Sequence, residues 1–308
     1  MGGALKFRRL KRRRPASVRS QCGFAARTRS HMRPWRMACA CNVGSSHLGS
    51  GAPCQDQVRM ERFQNGVHVI ALADGAGSAR YSHYGAFVAV KDALRLLSEH
   101  FGEAFGSQEQ KESFAGKLIR YIQKDLIELS RIGINLTEKE REAGGVPCRQ
   151  QLPLVPCAAR DLACTILAVA VKEDRFVSIH LGDGVVGMEY TLMGRKRLSV
   201  ISGPENGEFA NETHFVTSGE APNKVRIRSG KLEMGKNSHV TGFIAMSDGP
   251  EVALYDKKDN SLAVACGKLF GACRELDAEI MEAKLHHTIE SVIQRKTNDD
   301  CSIAILAR

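Results

Sequence analysis

Several aspartates in this chain stand where an apolar run meets a turn. The run at 67–73 ends in Asp74-Gly75-Ala76-Gly77. The run at 241–247 ends in Asp248-Gly249, and a closing apolar run over 302–307 is preceded by Asp299-Asp300. Asp56 precedes the first of these runs. Taken singly, each is an ordinary turn signal, because Asp hydrogen-bonds its own backbone and Gly tolerates positive φ. Together they say more. Acids at the ends of neighbouring buried strands converge on one rim of a sheet, where uncompensated carboxylates repel and are poorly solvated. A hard divalent cation relieves that cost. Mg²⁺ and Mn²⁺ take oxygen ligands in octahedral geometry and keep some waters. Two such ions sharing one carboxylate can acidify a water and neutralise phosphoryl oxygens, a chemistry that needs no side-chain nucleophile.

The elements that must position these acids are legible in outline. Residues 67–73 read as a buried strand. Helical spacing follows over 84–101 and over 109–131. The polar stretch 135–160, with Gly144-Gly145, Pro147, Pro153 and Pro156, reads as a long loop. Strands are then predicted at 162–171, 175–181, 185–191, 196–202, 212–217, 223–228 and 240–247. Helices return near 261–272 and 276–295, and a last strand ends the chain. This segregation of strands and helices predicts an α+β fold rather than an alternating one, with antiparallel strands layered between helices.

Composition bounds the rest. With 308 residues, 43% of them hydrophobic, the chain has ample material for one large core. No apolar run is long enough to span a membrane. The formal charge of +10 is a property of the tail. Residues 1–36 hold twelve Lys or Arg and no acid, so the remainder, with 32 of the 44 basic residues against all 34 acids, has a formal balance of −2. Residues 1–33 are therefore expected to be a basic, disordered leader, and 34–308 the folded domain. The leader lacks the apolar core of a secretory signal, although its Arg-rich, acid-free composition is also that of an organelle transit peptide. A nucleic-acid partner would rest on the leader alone and is not expected. Ten Cys without a C-x-x-C pair, several of them inside apolar runs, point to a reduced, cytoplasmic setting. Zinc at Cys39 with Cys41, or at Cys148 with Cys157, would need better spacing.

The motifs resemble those of the protein phosphatase 2C-like family of metal-dependent serine/threonine phosphatases. Gln55-Asp56, Ala73-Asp74-Gly75-Ala76-Gly77, Ala163-Cys164-Thr165, Leu181-Gly182-Asp183, Met246-Ser247-Asp248-Gly249 and Asn298-Asp299-Asp300-Cys301-Ser302 occur in the family order. Gly44-Ser45-Ser46-His47, and Gly207 to Glu212 followed by Phe215-Val216-Thr217-Ser218, are similar to a bacterial branch. The resemblance runs from about Trp35 to the C-terminus. It implies a four-layer α-β-β-α sandwich, two antiparallel sheets flanked by helices, with two Mn²⁺ or Mg²⁺ ions at one end. It implies that Asp74 bridges the ions, that the Gly75 carbonyl ligates one, and that Asp248 and Asp299 complete the other. Asp56 would act through water, and Asp183 stands where some members support a third, weaker ion. Asp300 replaces the usual Asn and is expected to shape its turn. Cys164 and Thr165 are expected to pack in the core. The implied partners are phosphorylated proteins and an opposing serine/threonine kinase.

Two departures stand out. Gly51 occupies the place of an Arg that binds substrate phosphate in many members. Ala76 occupies the place of a His that serves as a general acid. His47, Arg59, Arg80 and His83 are the candidate substitutes, with His47 taken as the phosphate-binding residue. The alternative is a phosphatase-like module with little or no catalysis that binds a kinase or another signalling partner.

Overall fold

Alternation along the strands explains the layering. The strand Val-Ile-Ala-Leu-Ala of residues 69–73 sends Val69, Ala71 and Ala73 to one face and Ile70 and Leu72 to the other, and all five are fully buried. A strand buried on both faces must be covered twice, here by helices on one side and by a second sheet on the other.

The structure, a computed structural model, describes residues 33–137, 154–204 and 213–308. The basic leader (except residue 33), Cys148 and most of the predicted 135–160 loop lie outside the described residues. So does the segment from Gly207 to Glu212. Pro34–Arg308 form one unit by their contacts. In chain order its elements are β1 (Arg36–Asn42), α1 (Ser45–Ser50), β2 (Gln57–Arg62), β3 (His68–Ala73), α2 (Ser82–Glu99) and α3 (Gln108–Ile132). There follow β4 (Ile166–Lys172), β5 (Arg175–Leu181), β6 (Val185–Leu192), β7 (Arg195–Ser202), α4 (Ala221–Lys224), β8 (Arg226–Lys231), β9 (Glu233–Gly235) and β10 (Ser238–Met246). The chain ends with α5 (Asp248–Leu254), β11 (Tyr255–Asp256), β12 (Ser261–Leu262), α6 (Val264–Glu275), α7 (Ala278–Thr288) and β13 (Cys301–Ala307).

One sheet runs β1-β13-β10-β6-β7, with β9 beside β10, and the other runs β2-β3-β4-β5-β8. The pairings are antiparallel, with β3 in register Ala71 to Ala168 on β4, and β13 in register Ala304 to Ala245 on β10. Three apolar layers separate the four layers of structure. Ile70, Leu72, Leu167 and Val169 meet Phe243, Ala245, Ala304 and Leu306 between the sheets. Val69, Ala71, Ile166 and Ala168 pack under α2 and α3 with Leu97, Ile119 and Ile122. Ile244, Ile303 and Ile305 pack under α6 and α7 with Phe270 and Leu285. The expected α-β-β-α sandwich is the observed one.

Several local expectations shift. Residues 213–218 form a turn and not a strand. Their backbone is satisfied piecemeal, because Val216 N donates to Cys164 O (2.7 Å) and the Gln123 amide donates to Val216 O and Ser218 O (2.8 Å each). The strand expected at 223–228 begins later, at Arg226, because Pro222 opens the short α4. Residues 162–165 precede β4 rather than belonging to it, and 261–262 pair with β11 before α6 starts. Beyond α7, residues Ile289–Ile293 form a π-helical turn.

The α2–α3 packing sets a buried acid, Asp92, beside the half-buried Asp125. Asp92 on α2 is 3% exposed, and burial first, then the Asp125 carboxylate on α3, pushes its carboxyl up to about 6. The folded value lies above the ordinary 3.8, so the fold holds an extra proton in that window and loses the associated stability as pH rises through it. Asp92→Asn is therefore expected to melt about 2–4 °C above the parent at pH 8, the effect of about 1 kcal/mol in a domain of this size. The gap should close below pH 4. Thermal unfolding across pH checks it, and parallel curves at all pH would contradict it.

Candidate metal centre

The acids sit where strand ends and short loops meet at one end of the sandwich. Asp74 follows β3 directly. Its amide donates to Thr165 Oγ1 (2.9 Å), and its carbonyl accepts from Thr165 N (2.8 Å). Thr165 thus clamps the Asp74 backbone from both sides, a positioning role rather than mere core packing. Gly75 pairs with Cys164 across an isolated bridge. A Cβ at Gly75 would lie 2.7 Å from Ser82 Oγ and 2.8 Å from Gln55 O, so only glycine fits between those groups.

Asp248 opens α5, with Ser247 at the N-cap, and a carboxylate in the first helical turn suits the helix dipole. Asp183 leaves β5 through Gly182, whose φ of 123° and close Thr165 neighbour (2.5 Å from a Cβ) exclude other residues. Thr213 Oγ1 donates to Asp183 Oδ2 (2.7 Å). Asp299 lies in the loop before β13, where its Oδ1 accepts from Asp300 N (2.9 Å).

Asp74, the Gly75 backbone, Asp183, Asp248 and Asp299 line one pocket of about 160 Å³, together with His47 and Phe215. The sequence-predicted set is therefore gathered, with one exception. Asp56 is 1% exposed and does not line the pocket. It lies behind, where Ser247 Oγ donates to its Oδ2 (2.7 Å). Its Oδ1 makes no hydrogen bond among the described residues, although the nearby Ser302 hydroxyl favours the charged carboxylate.

The electrostatics are those of crowded carboxylates. Burial, followed by Asp56, Asp248 and Asp183, holds the Asp74 carboxyl well above the usual range. Asp248 is pushed up to about 6 by burial and then by Asp299 and Asp183, while a hydrogen bond with Asp74 pulls the other way. Asp56 is pushed up to about 7 by burial, against the hydroxyls of Ser247 and Ser302. Without a counter-charge, the cheapest solution is for Asp74 and Asp248 to share a proton. Among the described residues no three His, Cys, Asp or Glu side chains already form a closed coordination cluster. The donor set nevertheless fits a hard cation: it is all oxygen, it is self-repelling, and it leaves one buried carboxylate oxygen without a hydrogen bond among the described residues.

Asp300 holds the loops together. Its Oδ1 accepts from Gly44 N (2.7 Å) and its Oδ2 from Gln55 N (2.6 Å), tying α1 and the Asp56 segment to the loop before β13. His47 Nδ1 lies 3.0 Å from Asp300 Oδ1. Of the four candidate substitutes for the missing Arg and His, His47 lines the pocket. Arg59 stacks on Phe87, Arg80 on Tyr81 and His83 on Tyr84. Ser247, Thr165, Asp300 and Phe215 were not singled out as site residues from sequence, although Ser247 and Asp300 sit inside acid-bearing motifs and Thr165 and Phe215 inside acid-free ones. Cys41 meets Cys54 (Sγ to Sγ 3.2 Å) rather than joining Cys39 in a zinc site.

The chain is similar to known proteins over most of its length. The family profile for protein phosphatase 2C matches residues 43–290. Serine/threonine-protein phosphatase 3 of Escherichia coli (strain K12) is 25% identical over 281 residues, spanning 88% of this chain and 97% of its own length. A solved serine/threonine phosphatase of S. agalactiae superposes with a TM-score of 0.54 at 15% identity, over 89% of this chain and 99% of that one. A serine/threonine phosphatase of Staphylococcus aureus gives 0.54 at 13% identity, over 90% and 96%. At those identities the two structures speak for the fold alone. The matched range takes in most of the sequence, Asp56, Asp74, Asp183 and Asp248 included, and the chain belongs to the protein phosphatase 2C family.

Proposed function

We propose that this protein hydrolyses phosphoserine and phosphothreonine in protein substrates with two Mn²⁺ or Mg²⁺ ions in the acidic pocket. The observation that carries this reading is the meeting of Asp74, Asp183, Asp248 and Asp299 in one cavity. Asp74, the Gly75 carbonyl, Asp248 and Asp299 would hold the ions, with Asp183 available to a third, weaker one. When bound, such ions acidify a water and neutralise phosphoryl charge. The chain's own groups do the rest. Thr165 fixes the Asp74 backbone, and Ser247 fixes Asp56 behind the pocket. Asp56 serves the centre through water from behind the pocket, as a buried acceptor whose Oδ1 makes no hydrogen bond among the described residues. His47, steadied by Asp300, is the group placed to touch a phosphate oxygen or return a proton to the leaving alkoxide. The Phe215 turn, anchored by Gln123, walls the pocket.

In the cell this activity would oppose a serine/threonine kinase, in the cytoplasm, with residues 34–308 as the catalytic domain and 1–33 as an accessory leader. No helix among the described residues is long and apolar enough to cross a membrane.

A phosphothreonine peptide assayed with Mn²⁺, and with EDTA, tests the proposal. Turnover with Mn²⁺ and none with EDTA is expected, whereas turnover indifferent to EDTA would overturn it. The pH dependence has a defined sign. Burial and mutual repulsion raise the Asp74 carboxyl well above the usual range and Asp248 to about 6, so the metal-free pocket holds a proton that an ion must displace. The Mn²⁺ concentration giving half activity should therefore fall as pH rises from 5.5 to 8.

A further inference from the structure

A second cavity, of about 820 Å³, shares no lining residue with the acidic pocket. It lies between α3, the end of β7 and residues 222–228, which include most of α4 and the start of β8. Its charge is opposite to that of the catalytic pocket. Arg120, Lys224, Arg226 and Arg228 line it against one carboxylate, Glu112, which already accepts from the Gln108 amide (2.7 Å). Arg226 is committed to structure: it donates to Gly203 O (2.7 Å) and more weakly to Gly182 O (3.4 Å). The exposed side chains of Arg120, Lys224 and Arg228 make no hydrogen bond or ion pair among the described residues. Three cations in one concavity, without an ion pair among the described residues, are not explained by a basic fold, because residues 37–308 carry a formal balance of −2.

The geometry points to a docking groove for a carboxylate-rich, extended segment of the protein substrate, next to but separate from the site of hydrolysis. Clefts lined by one sign of charge concentrate ligands of the other sign. The groove follows β8, which among the described residues pairs with β5 alone, so its outer side has no strand partner among them and suits an extended peptide. Arg226 ties the groove to the pocket, since Gly182, whose carbonyl it holds, directly precedes Asp183. The inference rests on the phosphatase reading for its substrate, but its binding step can be read without catalysis.

The test uses the full chain and the double variant Arg120→Ala/Arg228→Ala, both exposed positions outside the catalytic machinery. Fluorescence anisotropy follows a labelled Glu/Asp-rich peptide without phosphate. The parent should bind it in a salt-sensitive way, and the double variant should bind about tenfold more weakly, the loss of two modest charge pairs. KM for a phosphopeptide with acidic flanks should rise by about the same factor with kcat unchanged, and KM for a neutral-flanked phosphopeptide should not move. If no phosphopeptide is hydrolysed but the anisotropy difference persists, the groove stands and the phosphatase reading falls. Binding that the double variant retains in full belongs to the basic leader and overturns the groove. An oligonucleotide that displaces the peptide, and loses affinity itself in the double variant at least as strongly, also overturns it.

Discussion

Asp74→Asn is expected to lower turnover of a phosphothreonine peptide by about a thousandfold while the fold survives. Bound ions contribute several kcal/mol to stabilising charge in the transition state, and each 1.36 kcal/mol is tenfold in rate. Asp74 is the acid at the centre of the crowded set, facing Asp56, Asp248 and Asp183. Asparagine keeps its shape and the clamp by Thr165, which engages only the backbone. It also resembles the protonated carboxyl that burial favours in the metal-free state, so the metal-free melting temperature should hold or rise slightly at pH 8. What should vanish is the stabilisation by Mn²⁺. For the parent, an ion at a hundred times its dissociation constant adds about 2.7 kcal/mol, or about 5–10 °C. Full activity in Asp74→Asn, or an undiminished thermal shift with Mn²⁺, would contradict the account.

Asp56→Asn separates the buried charge from the site it serves. Asp56 is deeply buried, its carboxyl is pushed up to about 7, and one oxygen makes no hydrogen bond among the described residues. Its folded pKa is above the unfolded one, so the fold is favoured by that proton at low pH and loses the contribution as pH rises through about 7. Removing the charge should therefore raise the metal-free melting temperature at pH 8. Mn²⁺ affinity should instead fall by about 10–100-fold, the usual cost of losing a group that supports metal ligands from behind. Calorimetric Mn²⁺ titration and metal-free melting read the two effects separately. A variant that melts lower without metal and binds Mn²⁺ unchanged would make Asp56 a purely structural residue.

The parts of this protein that were legible in its sequence are those governed by local rules. The short apolar run before Asp74 read as a buried strand, and Asp-Gly after two such runs marked strand ends at one rim. The spacing over α2 and α3 gave both helices within a few residues. Edge strands were harder. β1 is built from small Ala and Cys residues, and β2 carries Gln, Arg and Glu, as exposed edges do. The turn at 213–218 looked like a strand because Phe215, Val216 and Thr217 are strand-favouring residues, yet its backbone partners are single bonds from α3 and Cys164. The supports of the site were invisible for a different reason. Ser247 reaches Asp56 across 191 residues of sequence, and Asp300 reaches Gly44 across 256. Only the closed sandwich brings them together. The same holds for His47, which enters the pocket because α1 sits on the Asn298 carbonyl through Ser46.

A crystal structure grown with Mn²⁺ and phased on the manganese anomalous signal addresses the central claim most directly. Two ions joined by the Asp74 carboxylate, with Asp248 and Asp299 as further ligands, are the predicted result. A pocket that stays empty of manganese at saturating concentration, in crystals of a protein still able to hydrolyse its phosphopeptide, would contradict it.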